Sequence, residues 1–294
     1  MSGTASEEIA EEARASYDAG DFARAHEQAV GALAGSPDDL ALLRVAGRAG
    51  FELGLEDAVD HLSRATTLEP DDAETWHDLA VALVNEGRLA DASEAFRRAV
   101  GLRPDDARAL VDLGHTAYAL GDSKEAVDHL RQAAEHEPEN LAAVRALVEI
   151  YRREGRLGEA LEAAEQAMRL DTEGILTTLD LAEIALDLNR LDEAIAAFSR
   201  LRPKDDEPDH EVYLFHGMIE AEIRRERWRR ALDLAVDATR VDRLGRTTDV
   251  LAFIVAKVFG TTDDRPVPTR EDVDAALAAS RAEHRRLHEE SVVF

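Results

Sequence analysis

The chain is 294 residues long, 45% apolar and free of cysteine. It has enough apolar residues for a globular core, and it cannot form a disulfide, a thiolate metal site or a cysteine nucleophile. Its 62 acidic residues outnumber 35 basic ones, giving a formal net charge of −27, a field that repels nucleic acid and anionic membrane surfaces, so neither is expected as a partner.

Only three lysines occur (Lys124, Lys204 and Lys257), so nearly all positive charge is arginine. A salt-adapted proteome and a GC-rich genome both produce that bias; the first would make folding stronger in salt, as counterions screen the self-repulsion. The opening stretch MSGTASEEIAEEARASYDAG lacks the basic start and apolar run of a secretory signal, and no run of eighteen apolar residues follows. A soluble, cytoplasmic protein is the expectation.

From the N-terminus onward the sequence repeats itself. Ala25, Ala58, Ala92, Ala126, Ala160, Ala194 and Ala231 head similar segments at intervals of 33, 34, 34, 34, 34 and 37, and Pro37, Pro70, Pro104 and Pro138 keep the same period. A fixed period of this length marks stacked copies of one supersecondary unit, and each proline stops a helix. In one copy, Ala73–Asn85 spaces Trp76, Leu79, Ala80 and Leu83 as one face of a helix. A break at Glu86–Gly87 follows, and then Leu89–Leu102 sets Ala92, Ala95, Phe96 and Ala99 on one face of a second helix. Small Ala80 and Ala92 let the two backbones approach while the larger residues fill the space beside them. Stability then depends on the next copy covering the outer face.

The set Trp76, Leu79, Ala80, Leu83, Ala92, Phe96, Ala99 and Pro104 resembles the tetratricopeptide repeat signature, with alanine in place of its glycine. Residues 107–140 keep Leu113, Gly114, Ala126, Leu130, Ala133 and Pro138; residues 141–174 keep Leu147, Tyr151, Ala160 and Ala167, with Thr172 in the proline's place; residues 39–72 keep Ala46, Ala58, Leu62, Ala65 and Pro70. Towards the ends the pattern thins to Ala13, Ala25, Ala32 and Pro37 in 6–38, Leu181, Ala182, Ala194 and Phe198 in 175–208, and Trp228, Ala231, Ala235 and Ala238 in 212–245. The expected fold is an all-α right-handed solenoid of about seven such helix-turn-helix repeats over 6–245, closed by capping helices over 246–294.

The 37-residue interval places an insertion in LRPKDDEPDH (201–210), either a longer surface turn or a hinge. VLAFIVAKVF (250–259) is apolar nearly all round yet too short to span a bilayer, and reads as a buried helix covering the end of the repeats. TTDDRPVPTR (261–270) is a linker, and Thr269 with Asp272 offers a capping-box start to a last helix. Val273, Leu277, Ser280, His284 and Leu287 form a stripe on that helix, which docks as a cap or, alternatively, pairs with a second copy as a coiled coil.

No catalytic motif is present: there is no HExxH, phosphate-binding loop or dinucleotide glycine pattern, and no catalytic residue, metal or cofactor is expected. His284 and His288 sit four apart on one helix but lack a third ligand. The run RRERWRR (224–230) looks like a basic patch, yet Trp228 falls where Leu89, Leu157 and Leu191 stand in other copies, so it is expected to plug a helix junction, with the arginines paired to acidic neighbours.

The resemblance implies that the first helices line an inner groove that holds a partner segment. Leu43, His77, Val81, Val84, Arg108, Val111, His115, Tyr118, Arg145, Glu149 and Arg152 are expected on that face. His77, Val81, Arg108, Val111, His115, Tyr118, Arg145 and Arg152 are the candidate partner-binding residues, suited to an acidic segment with an apolar anchor. The competing reading has these arginines merely neutralising Glu149 and Glu183. The lysine-and-asparagine clamp of family members that bind acidic chaperone tails is missing. The function expected is a non-enzymatic protein-interaction scaffold, with end-to-end or C-terminal self-assembly as the alternative and the oligomeric state left open.

Overall fold

The computed structural model describes residues 3–172, 174–201, 208–242, 245, 247–259 and 269–291; side chains at 3–5, 208–211, 258–259, 280–281 and 283–291 are outside that description. Sixteen α-helices and no strand occur among the described residues. The chain divides into two compact units, Met1–Ile150 and Tyr151–Phe294. The first holds α1 (Gly3–Asp18), α2 (Phe22–Leu33), α3 (Leu40–Glu52), α4 (Ala58–Leu68), α5 (Ala73–Asn85), α6 (Leu89–Leu102), α7 (Ala107–Ala119) and α8 (Ser123–His136), and the division falls within α9 (Leu141–Arg153). The second holds α10 (Leu157–Leu170), α11 (Ile175–Asp187), α12 (Leu191–Arg200), α13 (Pro208–Arg224), α14 (Trp228–Val241), α15 (Thr248–Phe259) and α16 (Arg270–Ser291). The helices α1 to α14 follow the seven sequence periods.

Between one hairpin and the next, a short Pro-x-Asp or Pro-x-Asn phrase does two jobs. Pro37, Pro70, Pro104 and Pro138 end a second helix, and two residues later Asp39, Asp72, Asp106 and Asn140 accept backbone N–H groups at the start of the next first helix. Each such cap satisfies donors that the helix itself leaves without partners, for about 1 kcal/mol. Where Thr172 replaces the proline, Gly174 stands at the cap of α11 and contributes no side-chain acceptor. The repeat is weaker there in its local signals, which is why its sequence match thins.

Inside each hairpin the turn needs one residue in the left-handed region. Gly87 (φ 73°) and Gly121 (φ 88°) supply it between α5 and α6 and between α7 and α8, and the following N–H groups of Arg88 and Asp122 bond back to Leu83 and Ala117. At the equivalent turns between α11 and α12 and between α13 and α14 the residues are Asn189 (φ 59°) and Glu226 (φ 56°), which carry a Cβ into a conformation that disfavours it.

Within the first unit, Ala80 and Ala92 are fully buried between α5 and α6, clustered with Leu79, Leu83, Phe96 and Leu113 of the next hairpin. At the matching place in α7, a Cβ on Gly114 would lie 2.8 Å from Leu130 Cγ. In α3 the residue so used is Gly47, whose Cβ would meet Leu62 Cγ at 2.5 Å, and not Ala46 as a 34-residue step implies. The caps Asp39 and Asp72 are 33 apart, so the register slips by one. Leu43 is accordingly core, 1% exposed, and Arg44 and Arg48 take the face expected for it.

In the second unit Ile219, Ile223, Ala231, Ala235, Ala238, Val250, Phe253 and Ile254 make a cluster that also takes in Val273 and Leu277 of α16. Thr269 and Asp272 exchange hydrogen bonds as the reciprocal cap of that helix. Ser280, His284, His288 and Leu287 lie outside the described side chains, as do 202–207 of the insertion and 261–268 of the linker outside the described residues.

Glu226→Gly should raise the urea-unfolding free energy by about 0.5–1 kcal/mol, because relief of left-handed strain exceeds the added chain entropy of glycine. Gly114→Ala should lower it by about 1–3 kcal/mol through overpacking against Leu130. Equilibrium urea titrations of both variants beside wild type check the two signs.

Candidate functional site

The first-helix face of the first unit is built largely of charges that reach from one repeat to the next. Arg44 of α3 donates to Thr75 Oγ1 at 2.8 Å and Glu69 at 2.5 Å and also bonds Asp72. One turn on, Arg48 bonds Asp78 and donates to Glu74 at 2.5 Å. His77 of α5 meets Asp112 of α7 at 2.7 Å and lies edge-on to the Phe96 ring.

These pairs leave marks on ionisation. Burial alone would raise the Asp72 carboxyl, but the Thr75 hydrogen bonds, Arg44 and the capped N–H of Glu74 outweigh it and hold the group below the ordinary carboxylate value. The Arg48 hydrogen bond and charge hold Glu74 down in the same way. Asp78 sits deeper, and burial pushes its carboxyl up despite Arg48 and His77.

The candidate partner-binding residues divide accordingly. His77 and Val111 are buried, 4% and 9% exposed, so they support the face and do not present themselves on it. Val81, Val84, His115, Tyr118 and Arg145 are half-buried, and Arg108 is exposed. His115, Tyr118, Arg145 and Glu149 each engage other groups of the protein. Arg108 has no hydrogen bond or ion pair among the described residues, which sets it apart from Arg44 and Arg48.

In the second unit Arg152 bonds Asp180 at 3.2 Å and also Glu183, and its side chain is only 12% exposed. Tyr213 of α13 bonds the same Glu183. Burial would weaken the Arg152 charge, but Glu183 and Asp180 more than restore it, so the guanidinium stays cationic. Arg152 thus belongs to a buried network joining α9, α11 and α13, and its pairing with Glu183 is the neutralising role the sequence left as the competing reading.

The RRERWRR segment also resolves into individual jobs. Trp228 packs edge-on to Phe253 at 5.9 Å within the α13–α14–α15 cluster. Arg225 pairs with Asp192 at 2.5 Å, and Arg224 bonds Glu220 and the Leu186 carbonyl. Glu226, Arg227, Trp228, Arg229, Arg230 and Lys257 border an open depression of about 470 Å³.

Helical hairpins repeated at a 33–34-residue period and joined by polar pairs define a helical-repeat protein of the all-α solenoid class. A tetratricopeptide repeat family model matches residues 55–111, 86–149 and 151–219, and the chain belongs to the tetratricopeptide repeat family. Similar solved structures include MamA (22% identity over 55% of this chain and 95% of that one, TM-score 0.53). YrrB, a protein of this family described as having an unusual peptide-binding site, aligns at 19% identity over 65% of this chain and 96% of its own, TM-score 0.56. A tetratricopeptide repeat protein from Parabacteroides merdae aligns at 16% identity over 85% and 98%, TM-score 0.58. At these identities the likeness is one of fold. No curated protein matches the chain. No helix among the described residues is long and apolar enough to cross a membrane.

Because Asp72 is depressed in the folded state, its stabilising contribution is complete above the unfolded value near about pH 4 and is lost as pH falls through the lower folded value. The stability gap between wild type and Asp72→Asn should therefore stay constant from neutral pH to about 4 and close below it. Urea midpoints across that range check the direction.

Proposed function

We propose that the chain is a non-enzymatic protein-interaction scaffold that holds a segment of a partner protein on the first-helix face of α5 and α7, with α15 and α16 over 246–294 acting as an end cap to the repeats of 6–245. The observation that carries this reading is the division of labour among the arginines. Arg44, Arg48 and Arg152 are taken up by cross-repeat pairs, whereas Arg108 stands exposed on the face that also carries half-buried Val81, Val84, His115 and Tyr118.

A guanidinium not engaged within the fold recognises a carboxylate in a planar, two-bond arrangement, and tyrosine with valine adds apolar contact at small entropic cost. The partner segment is therefore acidic with an apolar anchor. His77 and Val111 hold the face from beneath, and Arg145 flanks it. A preformed face loses little freedom on binding. Family membership and the peptide-binding site named for YrrB support the peptide reading, and a net charge of −27 supports a protein partner over nucleic acid. Self-assembly through the C-terminal stripe is disfavoured, because Val273 and Leu277 are already buried within the chain.

Arg108→Glu and Tyr118→Ala should each weaken partner binding about tenfold or more, the worth of one charge-assisted contact or one buried aromatic, and Arg108→Glu should do so without changing the melting temperature. Arg152→Glu should instead melt lower, since it leaves Glu183 buried without its cation. Affinity capture from native extract, followed by titration of the captured partner, checks this: equal binding by all three variants removes the first-helix face as the docking surface.

A further inference from the structure

Three side chains from different parts of the first unit converge in a way no short motif announces. His26 Nε2 of α2 lies 3.3 Å and 3.2 Å from the two carboxylate oxygens of Asp57, and His61 Nε2 of α4 lies 3.5 Å from Asp57 Oδ2. Among the described residues this is the one group of three such ligands whose donor atoms all fall within 4.8 Å of one another. We propose that His26, Asp57 and His61 form a three-ligand site for a divalent transition-metal ion of the zinc type, joining the second helices of the first two hairpins.

Geometry supports it first. Ligands about 2.0–2.1 Å from a tetrahedral zinc ion are about 3.3 Å from one another, close to the 3.2 and 3.5 Å separations from Asp57 to the two imidazoles. Two imidazole nitrogens and one carboxylate oxygen suit zinc chemically and leave a fourth position for water or for a side chain of a partner. The imidazoles are largely shielded, 16% and 21% exposed, while Asp57 at 43% opens the site to solvent and gives an ion its entry.

Two local features point to the same place. Asp57 precedes α4 without making a capping hydrogen bond, as is also true of the residues before the second helices α6, α10, α12 and α14, so its carboxylate is left to face the histidines. A Cβ on Gly50 would lie 3.3 Å from Asp57 Oδ1 and equally close to Ala58 Cβ, so the glycine leaves space beside that carboxylate. His26 likewise occupies the position after the anchoring alanine, which is apolar in most copies (Val59, Val127, Leu161 and Ile195). A protein that needed only packing there would keep the apolar residue.

The test is zinc titration of the full, chelator-stripped chain against a chromophoric competitor, with metal-free circular dichroism and melting recorded for each variant. One zinc ion per chain is expected, weakened at least about tenfold by His26→Gln, His61→Gln or Asp57→Asn, while a His284→Ala, His288→Ala double variant binds as wild type. Zinc X-ray absorption of the wild-type complex, which needs no variant to fold, should show two imidazoles with oxygen ligands at about 2.0–2.2 Å. Absence of stoichiometric binding, binding unchanged by the three site variants, or a ligand shell without two imidazoles would each overturn the site.

Discussion

Two helices joined by a tight turn can share a core only where their backbones come close, and close approach is possible only at residues with almost no side chain. Ala80 against Ala92, and Gly114 near Leu130 and Ala126, are those places in the third and fourth copies. Everything bulkier is arranged around them: Leu83 and Phe96 fill one side, and Leu113 of the following hairpin closes the cluster from the other. A hairpin built this way has an apolar outer face, so the same constraint that makes the pair also demands a neighbour. The positive-φ turns and the aspartate caps then fix where each helix begins and ends, so that the contact recurs at the same height in every copy.

Apolar stacking is tolerant of small sliding, whereas a hydrogen-bonded ion pair is not. Arg44 and Arg48 reaching α5, His77 reaching Asp112, and Arg152 reaching Asp180 and Glu183 each set the offset between successive first helices by a directional contact. In a chain with nearly twice as many acids as bases, positive groups are scarce. Most of those on the first-helix faces are consumed in holding the repeats together. Few are left over by the architecture, and Arg108, exposed and with no hydrogen bond or ion pair among the described residues, is the clearest of them.

Departures from the repeat are informative for the same reason. Where every copy obeys one packing rule, a residue that breaks it without helping the core is answering another demand. Leu43 merely reflects a 33-residue interval, and Glu226 a turn that lost its glycine. His26 breaks the pattern where most copies place an apolar residue, and it does so where it meets Asp57 and His61, which a packing account does not explain.

The period, the helix faces, the turn glycines and the prolines were legible in the sequence, because each is a local rule: a helix face repeats every three or four residues, a left-handed turn selects glycine, and proline stops a helix wherever it falls. The family followed from those signals alone, and so did Trp228 as a plug and no membrane-length apolar run. What the sequence could not assign was the partner of each charge. Arg108 and Arg152 read alike as basic residues on a first helix, yet one is exposed and the other is buried against Glu183, because burial and pairing depend on which side chains of the next repeat face them. The one-residue register slip that put Arg44 and Arg48 where Leu43 was expected, and the meeting of His26 with Asp57 and His61 across more than thirty residues, were likewise decided only by the stacking of one hairpin on another.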